Sequence, residues 1–175
     1  MTTTARPPRR WLTVEPLEAP AFLPFGDVIE AGRPGKHRTI NEGFAERFDD
    51  LARLDTGRQG GRPVVSVFRA RPRPLPLQLR LVERHLLGSQ AFVPMRSQRF
   101  LVVVAPAGPG PSAAQLRCFM AGPGQGVNYA AGTWHHPLIA LDQGGDFLVV
   151  DRGGPLAADD CEEHPLLDAN VWVPE

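Results

Sequence analysis

The sequence predicts a mainly β protein, a mostly antiparallel sandwich or barrel with one or two short helices near the N-terminus. Three observations carry that prediction. Nineteen prolines and 18 glycines punctuate 175 residues, which leaves little room for long helices and favours short strands joined by tight turns. From residue 64 onward, short runs rich in β-branched and aromatic residues recur, each bounded by Gly, Pro or a polar turn, as in antiparallel sandwiches and barrels. The run "LPLQLRLVERH" places Leu75, Leu77, Leu79 and Leu81 at every second position, and a strand turns such residues to one face.

In chain order, residues 1–10 read as a disordered arm and residues 11–175 as a single domain, as the chain length allows. "EAPAFLPFGDVIE" holds one short helix around Ala19 to Phe25 and then a strand. "GFAERFDDLARL" spaces Phe44, Phe48 and Leu51 at helical intervals. The strand candidates follow: "VVSVFRA", the leucine run, "QAFVPM", "RFLVVVA", "QLRCFMA", "GVNY", "HPLIAL" and "DFLVVDR". "GPGQG" at 122–126 reads as a turn and not as a phosphate cradle, because it is not G-x-G-x-x-G and opens no helix.

Composition excludes several chemistries. Apolar residues make up 42% and the formal net charge is zero, so nothing points to nucleic acid or to an anionic membrane surface. Lys36 is the only lysine and lies in the loop-like "AGRPGKHR"; there is no P-loop lysine and no candidate for a desolvated Schiff-base lysine. The two cysteines, Cys118 in an apolar run and Cys161 in the acidic "DDCEEH", form no C-x-x-C pair. A reduced, cytoplasmic protein is expected, with no signal peptide and no membrane-spanning run.

Two features carry candidate chemistry. Continuing the leucine alternation adds Glu83 and His85 to the same face, so an apolar inner surface ends in a carboxylate and an imidazole; the alternative is that the strand stops at Leu81. The second feature is "GTWHHPL". In a strand His135 points one way with Thr133, and His136 the other way with Trp134. Only one histidine then enters a given site unless a bulge intervenes.

"G-T-W-H" resembles the second half of the cupin signature, with Ala130 where its proline would stand. "E-R-H-LLGS-Q" resembles the first half, with Glu83 in place of a histidine and Gln90 in place of the glutamate. That spacing selects His135 as the inward residue. It makes His85, His135, Glu83 and Gln90 the candidate ligands of a divalent metal. A closer resemblance runs from residue 24 to 154: "PFGDVIE", "INEGFAERFDDLA", "LVERHLLGSQAFVPM", "GQGVNY", "WHHPL" and "FLVVDRGG" occur in the order and spacing of the ureidoglycolate lyase family. The resemblance implies a cupin-like double-stranded β-barrel, a homodimer, and cleavage of (S)-ureidoglycolate to glyoxylate and urea in allantoin (purine) catabolism. It also implies a divalent metal, nickel in particular.

Such a reaction needs a general base, a general acid and an anion clamp. His135, His85 and Glu83 are the candidates for proton handling, with or without metal. Arginine is the natural carboxylate donor. Arg69, on the parity of Val65 and Val67, and Arg47, in "GFAERFDDLA", are named with Gln90 and Trp134 as substrate-binding residues. Arg84 has the wrong parity for the interior. Two other functions fit the same fold: a metal-dependent cupin oxygenase or isomerase, and a non-catalytic cupin that binds a small organic acid.

Overall fold

A computed structural model describes residues 7–32, 37–156, 160–166 and 169–175. The expected mainly β fold is found: 46% of residues lie in strands and 9% in helical turns, far below the helical share of about a third usual in mixed proteins. Among the described residues the one α-helix is Ala19–Phe22. Pro20 sits in its first turn, where a missing N–H is harmless. The helix stops short of the expected Phe25 because Pro24 follows Leu23. It buries Phe22, which packs on Phe25 and edge-on against Phe119.

Three of the four sheets among the described residues stack in layers. The first runs in the order Gly26–Ile29, Gly126–Tyr129, Gln90–Pro94, Gly145–Gly153, Arg62–Ala70. The second runs Cys161–Pro165, Leu81–His85, Trp134–His135, Phe100–Ala105, Arg117–Ala121, Val14–Pro16, with Ile139–Ala140 also paired to Phe100–Ala105. The third joins Arg10–Trp11, Val171–Val173 and Leu77–Gln78. Pairing is antiparallel except where Val14–Pro16 meets Arg117–Ala121 and where Arg10–Trp11 meets Val171–Val173. No helix among the described residues is long and apolar enough to cross a membrane.

The middle sheet is covered on both faces, so "FLVVVA" is buried at every position, and a strand buried on both sides reads as a continuous apolar run. Phe100, Val102 and Val104 face the first sheet and share an inner core with Phe92, Val127, Tyr129, Phe147 and Val149. Leu101, Val103 and Ala105 face the third sheet and share an outer core with Leu79, Val82, Cys118, Trp134, Val171 and Val173.

Several expectations are corrected. "GFAERFDDLA" forms no helix. His37–Ile40 and Ala45–Phe48 make an antiparallel hairpin, with Ile40 opposite Ala45. The turn between them holds Asn41, Glu42 and Gly43 at φ of 52°, 58° and 96°. Asn and Gly tolerate this left-handed region, and such a turn imposes a hairpin. Phe44, counted on for a helical apolar face, is 90% exposed.

The leucine run is also not one strand. It breaks at Leu79, whose N–H donates to the Val171 carbonyl, and the phase shifts there. Leu79 and Val82 enter the outer core, so Glu83 and His85 face the other way, toward the first sheet. Of the arm expected over residues 1–10, residues 1–6 lie outside the described residues. Arg10 pairs with Val171, and the Arg9 guanidinium lies 4.5 Å from the centroid of the Trp172 ring.

Candidate active site

Residues directly opposite on neighbouring strands share a face. His135 stands opposite Val104 on one side and opposite Glu83 on the other. Val104 belongs to the inner core, so His135, Glu83 and, two residues on, His85 all face the first sheet. Trp134, opposite Ala105, faces the outer core. The cluster is compact: one donor atom from each of Glu83, His85 and His135 falls within 4.8 Å of the others. His135 Nε2 lies 3.6 Å from Glu83 Oε1, an ion-pair separation just beyond a hydrogen bond. The His85 and His135 rings are 5.5 Å apart.

The tautomer of His135 follows from its partner. Nδ1 lies 3.0 Å from the Thr133 carbonyl, and a carbonyl only accepts, so Nδ1 carries the proton. In the neutral ring Nε2 is then a lone pair aimed into the cluster, the orientation a base or metal ligand needs. Tyr129, from the first sheet, stacks on this ring at 4.3 Å and 13° from parallel. The Nε2 atoms of His85 and His135 and Oε1 of Gln90 are sealed from solvent and have no hydrogen-bond partner. Orphaned polar atoms in a native fold call for an explanation, and three of them gather on the same inner face.

Burial and neighbouring charges shift several titrating groups around the cluster. Burial pushes the Glu83 carboxyl up, but contact with His135 and the charges of His135, His85 and His136 outweigh it, and its pKa falls below the ordinary value. Burial, helped by the charge of His135, lowers His85; Glu83, Asp160 and Asp151 oppose this. Burial likewise lowers His136. Burial and the Glu83 charge raise the Tyr129 phenol.

The other named residues are scattered. Gln90 is buried on the inner face, opposite Tyr129. His136 is buried, with Nδ1 donating 2.7 Å to the Pro137 carbonyl. Trp134 donates its indole N–H to the Gly108 carbonyl and stacks under Arg84, 4.4 Å from the ring centre. Arg84 also pairs with Glu162, away from the cluster, as its parity indicated. Arg69 does not end an inward face. Val65 and Val67 on its parity are exposed, and Arg69 is bidentate to Asp146 on the surface; on the other parity Ala70 packs against the inner core, and Phe68, itself 42% exposed, lies edge-on to Phe92. Arg47 pairs with Asp49 in the exposed hairpin. The thiol of Cys118 is buried and pushed up to about 12. Cys161, opposite His85, has Sγ 4.0 Å from Glu83 Oε2. Sequence reasoning passed over Tyr129, Asp151 and Asp160. Tyr129 alone carried a signal, since it shares the parity of Val127 in "GVNY".

The family model described as ureidoglycolate lyase matches residues 9–173. A protein of Burkholderia cepacia named ureidoglycolate lyase is 55% identical over 157 residues, covering 89% of this chain and 86% of that one. One of Burkholderia mallei (strain NCTC 10229) with the same name is 54% identical over 143 residues, covering 82% and 83%. One of Pseudomonas syringae pv. tomato, again of that name, is 47% identical over 155 residues, covering 89% of each. With the family matched across nearly the whole length, this chain belongs to the ureidoglycolate lyase family.

Proposed function

We propose that this chain cleaves ureidoglycolate to glyoxylate and urea. The observation that carries the reading is the buried, unpartnered Nε2 of His135, fixed as a lone pair by the Thr133 carbonyl and set beside the ionised Glu83. The substrate carbon bears a hydroxyl, a carboxylate and a ureido nitrogen. His135 Nε2 takes the hydroxyl proton while the C–O bond becomes the aldehyde carbonyl and the C–N electrons leave on nitrogen. Glu83 stabilises the imidazolium so formed. The imidazolium returns its proton to the departing nitrogen, and neutral urea leaves with no net proton consumed. Gln90 Oε1 is an acceptor for a ureido N–H.

The cluster also suits a divalent metal. Two buried imidazole nitrogens lack partners, a carboxylate stands with them, and one imidazole is oriented through its other nitrogen by a carbonyl, as is usual for metal-binding histidines. Glu83, His85 and His135 would hold it, with Gln90 on the same face. Nickel is the ion the family resemblance suggests, and a bound divalent ion supplies Lewis acidity toward the substrate oxygens. We further propose a cytoplasmic homodimer, whose subunit contact covers exposed strand edges. A light-scattering mass near that of one chain would count against the dimer.

The test is incubation with racemic ureidoglycolate and assay of both products. Urea and glyoxylate are expected in equal amounts from half the substrate. Ammonia appearing in place of urea, with no urease present, would overturn the assignment.

A further inference from the structure

The substrate is an anion, yet among the described residues no arginine pairs with Glu83, His85 or His135; the Arg73 charge acts on His136, the neighbour of His135. Glu83 feels His135, His85 and His136; His85 feels His135, Glu83, Asp160 and Asp151. The arginines with a claim lie elsewhere: Arg69 on Asp146, Arg47 on Asp49, Arg84 on Glu162 and Trp134. Arg152 is buried and spends three of its hydrogen bonds on the carbonyls of Arg58, Gln59 and Pro155. On its strand it alternates with Val149 and Asp151, so it points away from the inner core that Val149 joins. The groups facing the cluster are mostly acceptors: the Glu83 carboxylate, the His135 lone pair and Gln90 Oε1. They suit the hydroxyl and the ureido N–H groups of the substrate and repel its carboxylate.

Besides the Gln90 amide N–H groups, a second neutral donor stands beside the cluster. The Tyr129 ring lies flat against His135 at 4.3 Å and is held from behind by Phe22 and Phe92. Its hydroxyl bonds to no described residue, and it is not among the sealed atoms that lack partners. A phenol keeps its proton at neutral pH, so it donates without adding charge beside Glu83.

We propose that Tyr129 is a substrate-binding residue whose hydroxyl donates to the substrate carboxylate, in the role an arginine would otherwise fill. The proposal rests on the lyase reading for the identity of the substrate. The chemical class it recognises is a small α-hydroxy or α-oxo carboxylate.

Glycolate, which keeps the hydroxyl and carboxylate but lacks the ureido group, is the probe. Native protein and Tyr129→Phe are titrated with glycolate by calorimetry, with chelator and again with added nickel. Phe keeps the ring stacked on His135 and removes only the hydroxyl. A lost hydrogen bond to a charged group weakens binding about tenfold or more, so glycolate affinity should fall by that factor and KM for ureidoglycolate rise by a similar one, with kcat changed less. The chain has a single tyrosine, so labelling tyrosine at Cζ gives one carbon resonance; it should move when glycolate binds. Unchanged glycolate affinity in Tyr129→Phe, a Cζ resonance that does not respond, or failure of the native protein to bind glycolate each overturns the proposal. If the native protein binds glycolate through Tyr129 but releases no urea from ureidoglycolate, the lyase reading fails and the tyrosine's role stands.

Discussion

The two faces of the strand pair Leu81–His85 and Trp134–His135 are built from alternating residues of the same short segments, and they differ in one respect. On the outer face every polar group is engaged. Trp134 bonds Gly108, Arg84 stacks on Trp134 and pairs with Glu162, and the Arg84 guanidinium also donates to the Gly108 carbonyl. On the inner face Glu83 and His135 stop at 3.6 Å, and two ring nitrogens have no hydrogen-bond partner. A fold that satisfies its outer face so fully has the means to satisfy the inner one. Leaving it open is a departure from the stability optimum, which points to function. The outer face teaches what these residue types do when they only hold strands together.

The sharpest way to break that comparison is to exchange one residue on each face. His135→Asn keeps a polar side chain near the Thr133 carbonyl and removes the basic nitrogen. Urea release per folded molecule should fall about a hundredfold or more, the usual loss for a general base or metal ligand. Trp134→Phe removes only the indole N–H and part of the stack. It should lower stability by about 1 kcal/mol and leave the rate of folded molecules unchanged. Chemical denaturation separates the two readouts. Reversed results would place the reactive face on the outer side.

Glu83→Gln comes next. The amide fills the same space without charge, so the imidazolium of His135 loses its stabilising neighbour. A loss of about ten- to a hundredfold in kcat is expected, in the range seen when one electrostatic partner is removed. The pH behaviour follows from the direction of the shift. The folded-state pKa of Glu83 lies below its unfolded value, so its stabilising contribution is fully present above the ordinary carboxylate range. It disappears as pH falls through the folded value. An acid-unfolding series should show this limb in the native protein and a shallower one in the Gln variant.

How much of this contrast the sequence disclosed depends on the range of the interaction. Parity is local, so the separation of His135 from Trp134 and the shared face of Glu83 and His85 were legible. The phase shift at Leu79 was not. It depends on the Val171 carbonyl, which is remote in sequence and belongs to another sheet. Arg69 was misplaced for a related reason. "VVSVFRA" is apolar on both parities, and only the first sheet's packing decides that Ala70 meets the inner core and Phe68 turns to Phe92 while Val65 and Val67 face away. The hairpin at 37–48 carried its own signal in "NEG", but a weak helical spacing was read in its place. Tyr129 meets His135 across the inner core, between sheets, and strand-by-strand periodicity does not reach that contact.

His136 sharpens the comparison from the middle. It is buried like His135, yet its Nδ1 is satisfied by Pro137, so it should behave as a structural residue. His136→Asn is expected to lower stability by about 1–3 kcal/mol, the cost of disturbing a buried hydrogen-bonded group, with activity per folded molecule unchanged. Burial lowers its pKa in the fold. Stability is therefore full above the ordinary imidazole value and declines as pH falls from there toward the folded value. The Asn variant should show less of that decline. An inactive but well-folded His136→Asn would mean that the strand register is off by one residue.

The smallest effect belongs to Arg69, and it tests whether the inner face needs a guanidinium. Arg69 lies at the far end of the strand Arg62–Ala70, with its side chain 83% exposed and two of its three guanidinium nitrogens on Asp146. A pair this exposed is screened by water and salt and contributes little to stability. Its side chain also shares the outward parity of Val65 and Val67, so the first sheet stands between it and His135. Arg69→Ala should leave KM for ureidoglycolate, kcat and the unfolding midpoint unchanged within error, at low and at moderate salt. A rise in KM of tenfold, with folding intact, would show that the carboxylate is held from the outer surface. The anion would then have to bind at the edge near Asp146, and the open cluster around His135 would lose its claim to the whole substrate.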